Sequence, residues 1–412
     1  MAISNITLSA AVRQNLLSLQ GTASLLSQTQ ERLATGKKVN SALDNPTNFF
    51  TAAGLDARAS DISNLLDSIG NGVQVLQAAN TGITSLSSLV DTAKSIANQV
   101  LQQPVGYTTK ASLTSLAPTG TAGTATDITN AAGTANGLSG QTIVFKTATS
   151  SYTVTLNNTG AANTANSITG LNSLLAANNV SLTAGINANG SLTFTSSNDG
   201  ASQTITNTGA TPAANTTDIS GGTSFTTVGA GNIVATPTPD AVSQATRSSL
   251  VSQYNQVITQ ITTTAQDSSF NGVNLLNGDS LKLVFDETGK SSVSITGVTF
   301  NPAGLGLKSL TAGTDFIDNN STNNVLTALN TASVTLRSQA SAFGANLSIV
   351  QIRQDFNKNL INVLQTGSSN LTLADSNEEA ANSQALSTRQ SIATSALSLA
   401  NQSQQNVLQL LR

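Results

Sequence analysis

Three short stretches carry residue types whose spacing could do chemistry. Glu378 and Glu379 stand side by side, and paired carboxylates can divide general acid and base work. Gly36-Lys37-Lys38 has the glycine and lysine of a phosphate-cradling loop. Asp286-Glu287-Thr288-Gly289-Lys290 sets two acidic side chains before a glycine, as around bound calcium. The rest of the inventory backs none of them. The 412 residues include no His and no Cys. That removes the commonest general base and metal ligand, and any thiol nucleophile. Nucleophilic triads of the usual kinds are excluded, as are zinc sites of the His-Glu-x-x-His type. Gly36 lacks the upstream glycine of a phosphate loop, so it reads as a helix C-terminus. Glu378-Glu379 reads as a helix start favoured by the macrodipole. Residues 286–290 read as a hairpin turn that needs no ion. The expectation is no enzyme, no cofactor and no metal.

Composition points elsewhere. Charged residues make up 9% of the chain and aromatic residues 3%, against about 25% charged in ordinary domains. A surface so poor in charge is a weak one for a lone monomer. The net charge is −3 with no basic cluster, which argues against nucleic acid. No run reaches the roughly 18 apolar residues of a membrane span, so no membrane insertion is expected. The first twenty residues have neither the basic region nor the apolar core of a signal peptide. Export would need a route without a cleaved signal.

Heptad spacing dominates both ends. Val12, Leu16, Leu19, Ala23, Leu26, Gln30 and Leu33 step by four and three, a coiled-coil seam with one polar position. Asn45-Pro46 then marks a turn, with Asp44 or Asn45 as the cap of the next helix. From Leu55 to Leu101 the same rhythm predicts a helix of roughly 70 Å. Gly70, Gly72 and Gly82 lie inside it, each costing about 1 kcal/mol against Ala. Leu250, Tyr254, Val257 and Ile261 predict another helix. A further long one begins at Leu329 and continues through Ile352, Phe356, Leu360 and Val363. After a break near Asn377, Leu386, Ala393, Leu397, Ala400, Val407 and Leu411 form the last stripe.

Between the helical ends the composition turns to Thr, Ser, Ala, Gly and Asn. Residues 141–158 read as a hairpin and 166–179 as a short helix capped by Asn166 or Ser167. Residues 180–207 read as three strands, with Asn189-Gly190 as a hairpin turn. The flanks, 108–140 and 209–238, read as loops or irregular β structure. Residues 281–300 read as a second hairpin closed near Thr288-Gly289. The fold class is mainly α with an inserted β-rich (α+β) module, the two ends pairing as long antiparallel helices.

Those ends resemble bacterial flagellin. ERLATGKKVNSALDNPTNFFTAAGLDAR (31–58) is similar to the block after that family's first helix. FNGVNLL (270–276) resembles the segment leading into its β-hairpin, and LANQSQQNVLQLLR (399–412) its C-terminal signature. The resemblance implies an inner helical coiled-coil domain of 1–40 and 378–412. It implies a helical spoke domain of 41–103 and 240–377, with its hairpin near 281–300, and a variable surface-exposed α+β outer domain of 104–239. It also implies a helical homopolymer outside the cell, the filament of the bacterial flagellum, and type III export without a cleaved signal. The implied partners are the chain itself, the export apparatus, an export chaperone, and the cap and hook-junction proteins. Two other readings stay open: a hook–filament junction protein, which shares the terminal pattern, and a secreted adhesin with the central module as its head. In many flagellins a Leu-Gln-Arg-Val-Arg-Glu stretch is read by a vertebrate innate-immune receptor. The matching positions here are Val90, Asp91, Thr92, Ala93, Lys94 and Ser95, with one basic residue left, so weak recognition is expected.

The last stripe is wider than one seam. Ile392, Ala396, Leu399 and Leu410 sit beside the first row, and Arg389 is the one charge between Glu379 and Arg412. A two-helix pair covers one row and leaves the second wet, and each exposed Leu forgoes about 1.5–3 kcal/mol. The expected polymerisation and coiled-coil residues are Val12, Leu16, Leu19, Leu26, Leu33, Ile392, Leu397, Leu399, Val407, Leu410 and Leu411. The termini are expected to gain order on assembly.

Overall fold

A computed structural model describes residues 10–130, 135–225 and 233–410, apart from the side chains of Ala11, Gln404 and residues 407–410. The chain divides into two compact units. The first holds residues up to Gln74, Leu281–Ile295 and Asn346 onward; the second holds Val75–Ser280 and Thr296–Ala345. Among the described residues no helix is long and apolar enough to cross a membrane.

In the first unit, helix α1 (Ala10–Thr35) ends at Gly36, which adopts φ +66°. The left-handed region suits glycine because it has no Cβ to clash. Helix α2 (Pro46–Gln102) starts with proline at its first position, where no amide is needed. Asn45 is its cap: its Oδ1 accepts from the Asn48 amide at 3.0 Å. Asp44 does other work. Its carboxylate accepts from the amides of Ser41 at 2.9 Å and Asn40 at 3.0 Å. Those backbone bonds, Ser41's first, hold its pKa below the usual carboxylate value, and the nearby charge of Arg32 adds to the effect.

Numbered in chain order, the second unit and the hairpin of the first supply strands β1 (Tyr107–Thr109), β2 (Ser112–Thr114), β3 (Thr142–Lys146), β4 (Ser151–Leu156), β5 (Thr164–Ala165), β6 (Leu182–Ile186), β7 (Leu192–Ser196), β8 (Thr204–Thr206), β9 (Thr216–Ser220), β10 (Ile233–Ala235), β11 (Thr238–Pro239), β12 (Ser280–Val284) and β13 (Ser292–Thr296). The remaining helices are α3 (Ile168–Ala177), α4 (Ala241–Asp267), α5 (Asn319–Thr372) and α6 (Ser376–Leu410). The β12–β13 hairpin lies against its own unit's helices. Leu283 fills the space where a side chain at Gly72 would stand. Buried Asn357 of α5 donates to the Phe285 carbonyl at 3.0 Å. The Asp286 carboxylate accepts from the Ser291 amide at 2.9 Å, closing the turn from within. On α5 the buried positions in this unit are Val350, Asn357, Leu364, Ser368 and Thr372. Ile352, Phe356 and Val363, expected to continue that helix's core row, are exposed, because the inner face holds polar Asn357, Ser368 and Thr372, which apolar spacing does not reveal.

The β-rich module lies in the second unit. A five-stranded sheet runs β5-β4-β3-β9-β8 and a four-stranded one β10-β2-β7-β6. Phe145 of the first sheet meets Phe194 of the second edge to face, 5.3 Å between ring centres, and Leu171 and Leu175 of α3 join the same core. Ser167, one of the two caps expected, accepts from Gly170 N. The flanks form strands as well: β1 pairs with β11 at the root of the module. Asn189-Gly190 makes the expected turn, with Gly190 at φ +79°.

Where the module leaves and rejoins the helices stands one buried cation. Arg247 of α4 is 1% exposed. It donates to the carbonyl of Pro104 from Nε at 3.1 Å and Nη2 at 3.0 Å, and to that of Phe316 from Nη1 at 3.0 Å. The Pro104 carbonyl lies just past the end of α2 and the Phe316 carbonyl just before α5, so one guanidinium on α4 serves the ends of two other helices. Burial lowers its pKa from the usual guanidinium value, and the charge of Asp318 opposes that. Phe316 sits at φ +56°, a conformation that costs a side-chain-bearing residue about 1–3 kcal/mol. Arg247 on its carbonyl and Tyr254 across its ring at 5.8 Å hold it there. Asp318, 2% exposed, caps α5 through the Ser321 amide at 2.9 Å and receives the Ser202 hydroxyl of the module at 2.6 Å. Gly82 has no Cβ, so Ser268 and Leu276 rest directly on α2. Gly72 and Gly82 thus serve close approach, at the helix-propensity cost expected of them.

Replacing Arg247 by Met leaves those carbonyls dry and unpaired. It should destabilise the second unit by about 3 kcal/mol, read as a lower urea midpoint by circular dichroism. Burial, and then the charge of Asp315, push the Tyr254 hydroxyl up to about 12. A raised pKa means stability is full below the unfolded value near 10 and is lost as pH climbs toward about 12. Tyr254→Phe should therefore shift the alkaline unfolding midpoint to higher pH in a titration by circular dichroism.

Candidate assembly surface

The terminal helices meet side by side and antiparallel. At the base, the Lys38 amide donates to the Thr372 carbonyl at 2.7 Å and the Ala374 amide to the Gly36 carbonyl at 3.0 Å. From there α1 and α6 run together. The face of α1 toward α6 carries Val12, Asn15, Leu19, Thr22, Leu26, Thr29 and Arg32; that of α6 carries Glu379, Ser383, Leu386, Gln390, Ala393, Leu397 and Ala400. Both series step by three and four.

The expected residues divide between this seam and the open surface. Val12 is buried, and Leu19, Leu26 and Leu397 are half-buried in the seam. Leu16 and Leu33, expected in the seam, lie outside it, 39% and 41% exposed. Thr22 and Thr29 take the inward places. Every seventh residue from Asn15 was the signal, and reading by apolar type alone passes over it. Thr22, buried, turns its hydroxyl onto the Ser18 carbonyl at 2.9 Å. Ile392 and Leu399 are 64% and 69% exposed. Leu17 and Leu25 of α1, not singled out in the sequence, are 71% and 52% exposed. Val407 and Leu410 belong to α6, but their side chains lie outside the described residues, as does Leu411 altogether.

Ile392, Ala396 and Leu399 line a shallow groove along α6 with Thr388, Ser391 and Ser395. Its hydroxyls are already used. Thr388 donates to the Gln384 carbonyl at 2.9 Å, Ser391 to Ser387 at 3.1 Å and Ser395 to Ser391 at 2.9 Å. A hydroxyl bonded to its own helix asks less of solvent, so the groove is drier than its sequence suggests. Such a surface offers apolar area to another surface.

The second predicted stretch lies in the other unit. Val90 and Ala93 are fully buried, while Asp91, Thr92 and Ser95 are exposed. Lys94 is partly covered, its ammonium 3.8 Å from Asp91.

Both helical ends are shared with known proteins. Residues 3–117 match the bacterial flagellin N-terminal helical region and residues 326–411 the bacterial flagellin C-terminal helical region. Flagellin FljM of Caulobacter vibrioides is 31% identical over 173 residues, 42% of this chain and 62% of that protein. Flagellin FljO of the same organism is 29% identical with the same coverage. The chain thus spans about three fifths of the length of these curated relatives. Similarity to the flagellar cap protein FliD of Escherichia coli (domains D1-D2-D3) is slight: 13% identity, a TM-score of 0.14, 45% of this chain and 71% of that one. With paired terminal helices at its two ends, the chain carries both the N-terminal and the C-terminal helical region of bacterial flagellin.

Proposed function

We propose that this chain is a structural subunit that polymerises into the helical filament of the bacterial flagellum, outside the cell, and serves swimming motility. One observation carries the reading: a row of large apolar side chains, Ile392 and Leu399, stays open on a helix that already has its partner. A contact repeated by a rotation that does not close builds a filament. The occupant is another copy, so the first partner is the chain itself. The export apparatus, an export chaperone, and the cap and hook-junction proteins are partners by family. The inner domain is 1–40 with 378–412, the spoke domain 41–103 with 240–377, and the outer domain 104–239. The role is mechanical, with no catalysis, cofactor or metal.

The seam residues Val12, Leu19, Leu26 and Leu397 hold the pair, and Ile392, Leu399 and Leu410 meet the neighbour. Ile392→Ser with Leu399→Ser should leave monomer stability within about 0.5 kcal/mol, since both side chains are already wet. The same double variant should fail to form filaments under salt-induced assembly, viewed by electron microscopy. Normal filaments would remove the outer row from the reading.

The stretch Val90–Ser95 should be a weak ligand for the innate-immune receptor that reads many flagellins. Two of its six side chains face inward and its one cation leans on Asp91. A receptor-reporter assay checks this; potency equal to that of enteric flagellins would overturn it.

A further inference from the structure

The heptads of the terminal pair leave its register open. Placing Arg32 against Glu379 sets Leu26 opposite Leu386, Leu19 opposite Ala393 and Val12 opposite Ala400. Sliding α6 by one heptad toward the base would instead set Leu26 on Ala393 and Leu19 on Ala400. Apolar still meets apolar. Hydrophobic matching therefore does not choose the observed register. A slip of seven residues moves the outer row, Ile392 and Leu399, by about 10 Å along α1.

Two features oppose the slip. The backbone bridge at Gly36–Lys38 and Thr372–Ala374 anchors the chain before α6 begins. It could survive if the first two turns of α6 looped out. Across those turns only Glu379 and Ser383 lie on the seam. Glu379 is the charged one, its side chain 10% exposed, 3.3 Å from Nη1 of Arg32. The contact is made by one oxygen and one nitrogen. Oε2 of Glu379 and Nε of Arg32 are buried with no hydrogen-bond partner. Glu379 cannot spare Arg32, because its carboxylate, 10% exposed, would keep a buried charge with its ion-pair partner gone. A polar pair of this kind fixes alignment at some cost in stability, as single polar seam residues do in coiled coils.

We propose that Arg32 and Glu379 are the register-setting pair of the terminal helices, selecting the observed alignment over the one slipped by a heptad. The consequence for assembly rests on the filament reading above; the alignment itself does not. Arg32 also faces Asp44, so the informative variants are at Glu379.

The chain has no Cys, so introduced pairs report alignment directly. Leu19→Cys with Ala393→Cys reads the observed register, and Leu19→Cys with Ala400→Cys the slipped one. Both are oxidised in the full chain under assembly-promoting salt. The first should cross-link efficiently and the second poorly. Glu379→Arg should shift the ratio toward the slipped pair by about tenfold, Glu379→Gln should do so less, and adding Arg32→Glu to Glu379→Arg should restore it. Circular dichroism confirms that helix content is kept. A ratio indifferent to Glu379→Arg, or no 19–393 cross-link in the parent, overturns the proposal. Unchanged cross-link behaviour with no filaments from the parent would count instead against the assembly reading.

Discussion

The first unit is organised by two helices from opposite ends of the sequence lying side by side. Loop-closure entropy opposes that meeting, though it grows only slowly with chain length. The attraction between them is modest. The seam mixes Val12, Leu19 and Leu26 with Asn15, Thr22 and Thr29, and several apolar members are only half-buried. The pair gains from being delivered already aligned: α2 comes after α1 by a ten-residue turn and α5 precedes α6 by three residues. The backbone bridge between residues 36–38 and 372–374 joins these two turns. Most of the closure cost is thus met before α1 and α6 touch.

A parallel problem is solved in the second unit, where a β-rich module interrupts the helices. The chain must leave α2 and enter α4 at adjoining points, with polar helix ends buried between them. One guanidinium answers several of those needs, because its rigid fork can serve carbonyls in different directions. Here it binds Pro104 and Phe316. Lysine could not cover the same set with one compact ammonium. Asp318 extends the device to the module through Ser202, so the cap of α5 and the docking of the module share one carboxylate.

A hydrophobic period states where a helix or strand runs, and it is silent on which polar residues turn inward. Heptads marked the helices, and alternation with Asn189-Gly190 marked the strands within 141–158 and 180–207, because local chemistry decides those elements; the strands of the flanks were not marked. Buried polar positions were not legible in the sequence. Thr22, Thr29, Asn357 and Arg247 face inward, yet their types read as surface. Asn357 and Arg247 are inward because partners exist elsewhere in the chain: Phe285 for Asn357, Pro104 and Phe316 for Arg247. Leu16, Leu33, Ile352, Phe356 and Val363 misled in the other direction. They are apolar and correctly spaced, but a helix with two apolar rows has more than one way to be spaced. The exposure of Ile392 and Leu399 was legible because they widen a stripe that one partner cannot cover.

That ambiguity bears on why the terminal helices carry so little charge. Under the proposed assembly, a surface that meets copies of itself without leaving ions dry does best with small hydroxyl residues, since a buried unpaired charge costs several kcal/mol. Serine and threonine on a helix return their hydroxyls to the preceding turn, as Thr388, Ser391 and Ser395 do. The face then offers apolar area without large apolar residues at every position, which also limits promiscuous aggregation. The drawback is lost specificity, because hydroxyl-lined heptads look alike from one turn to the next. The proposed register pair at the base would restore the missing information where it disturbs the open face least. Arg32 and Glu379 stand at the start of α6, more than three turns from Ile392.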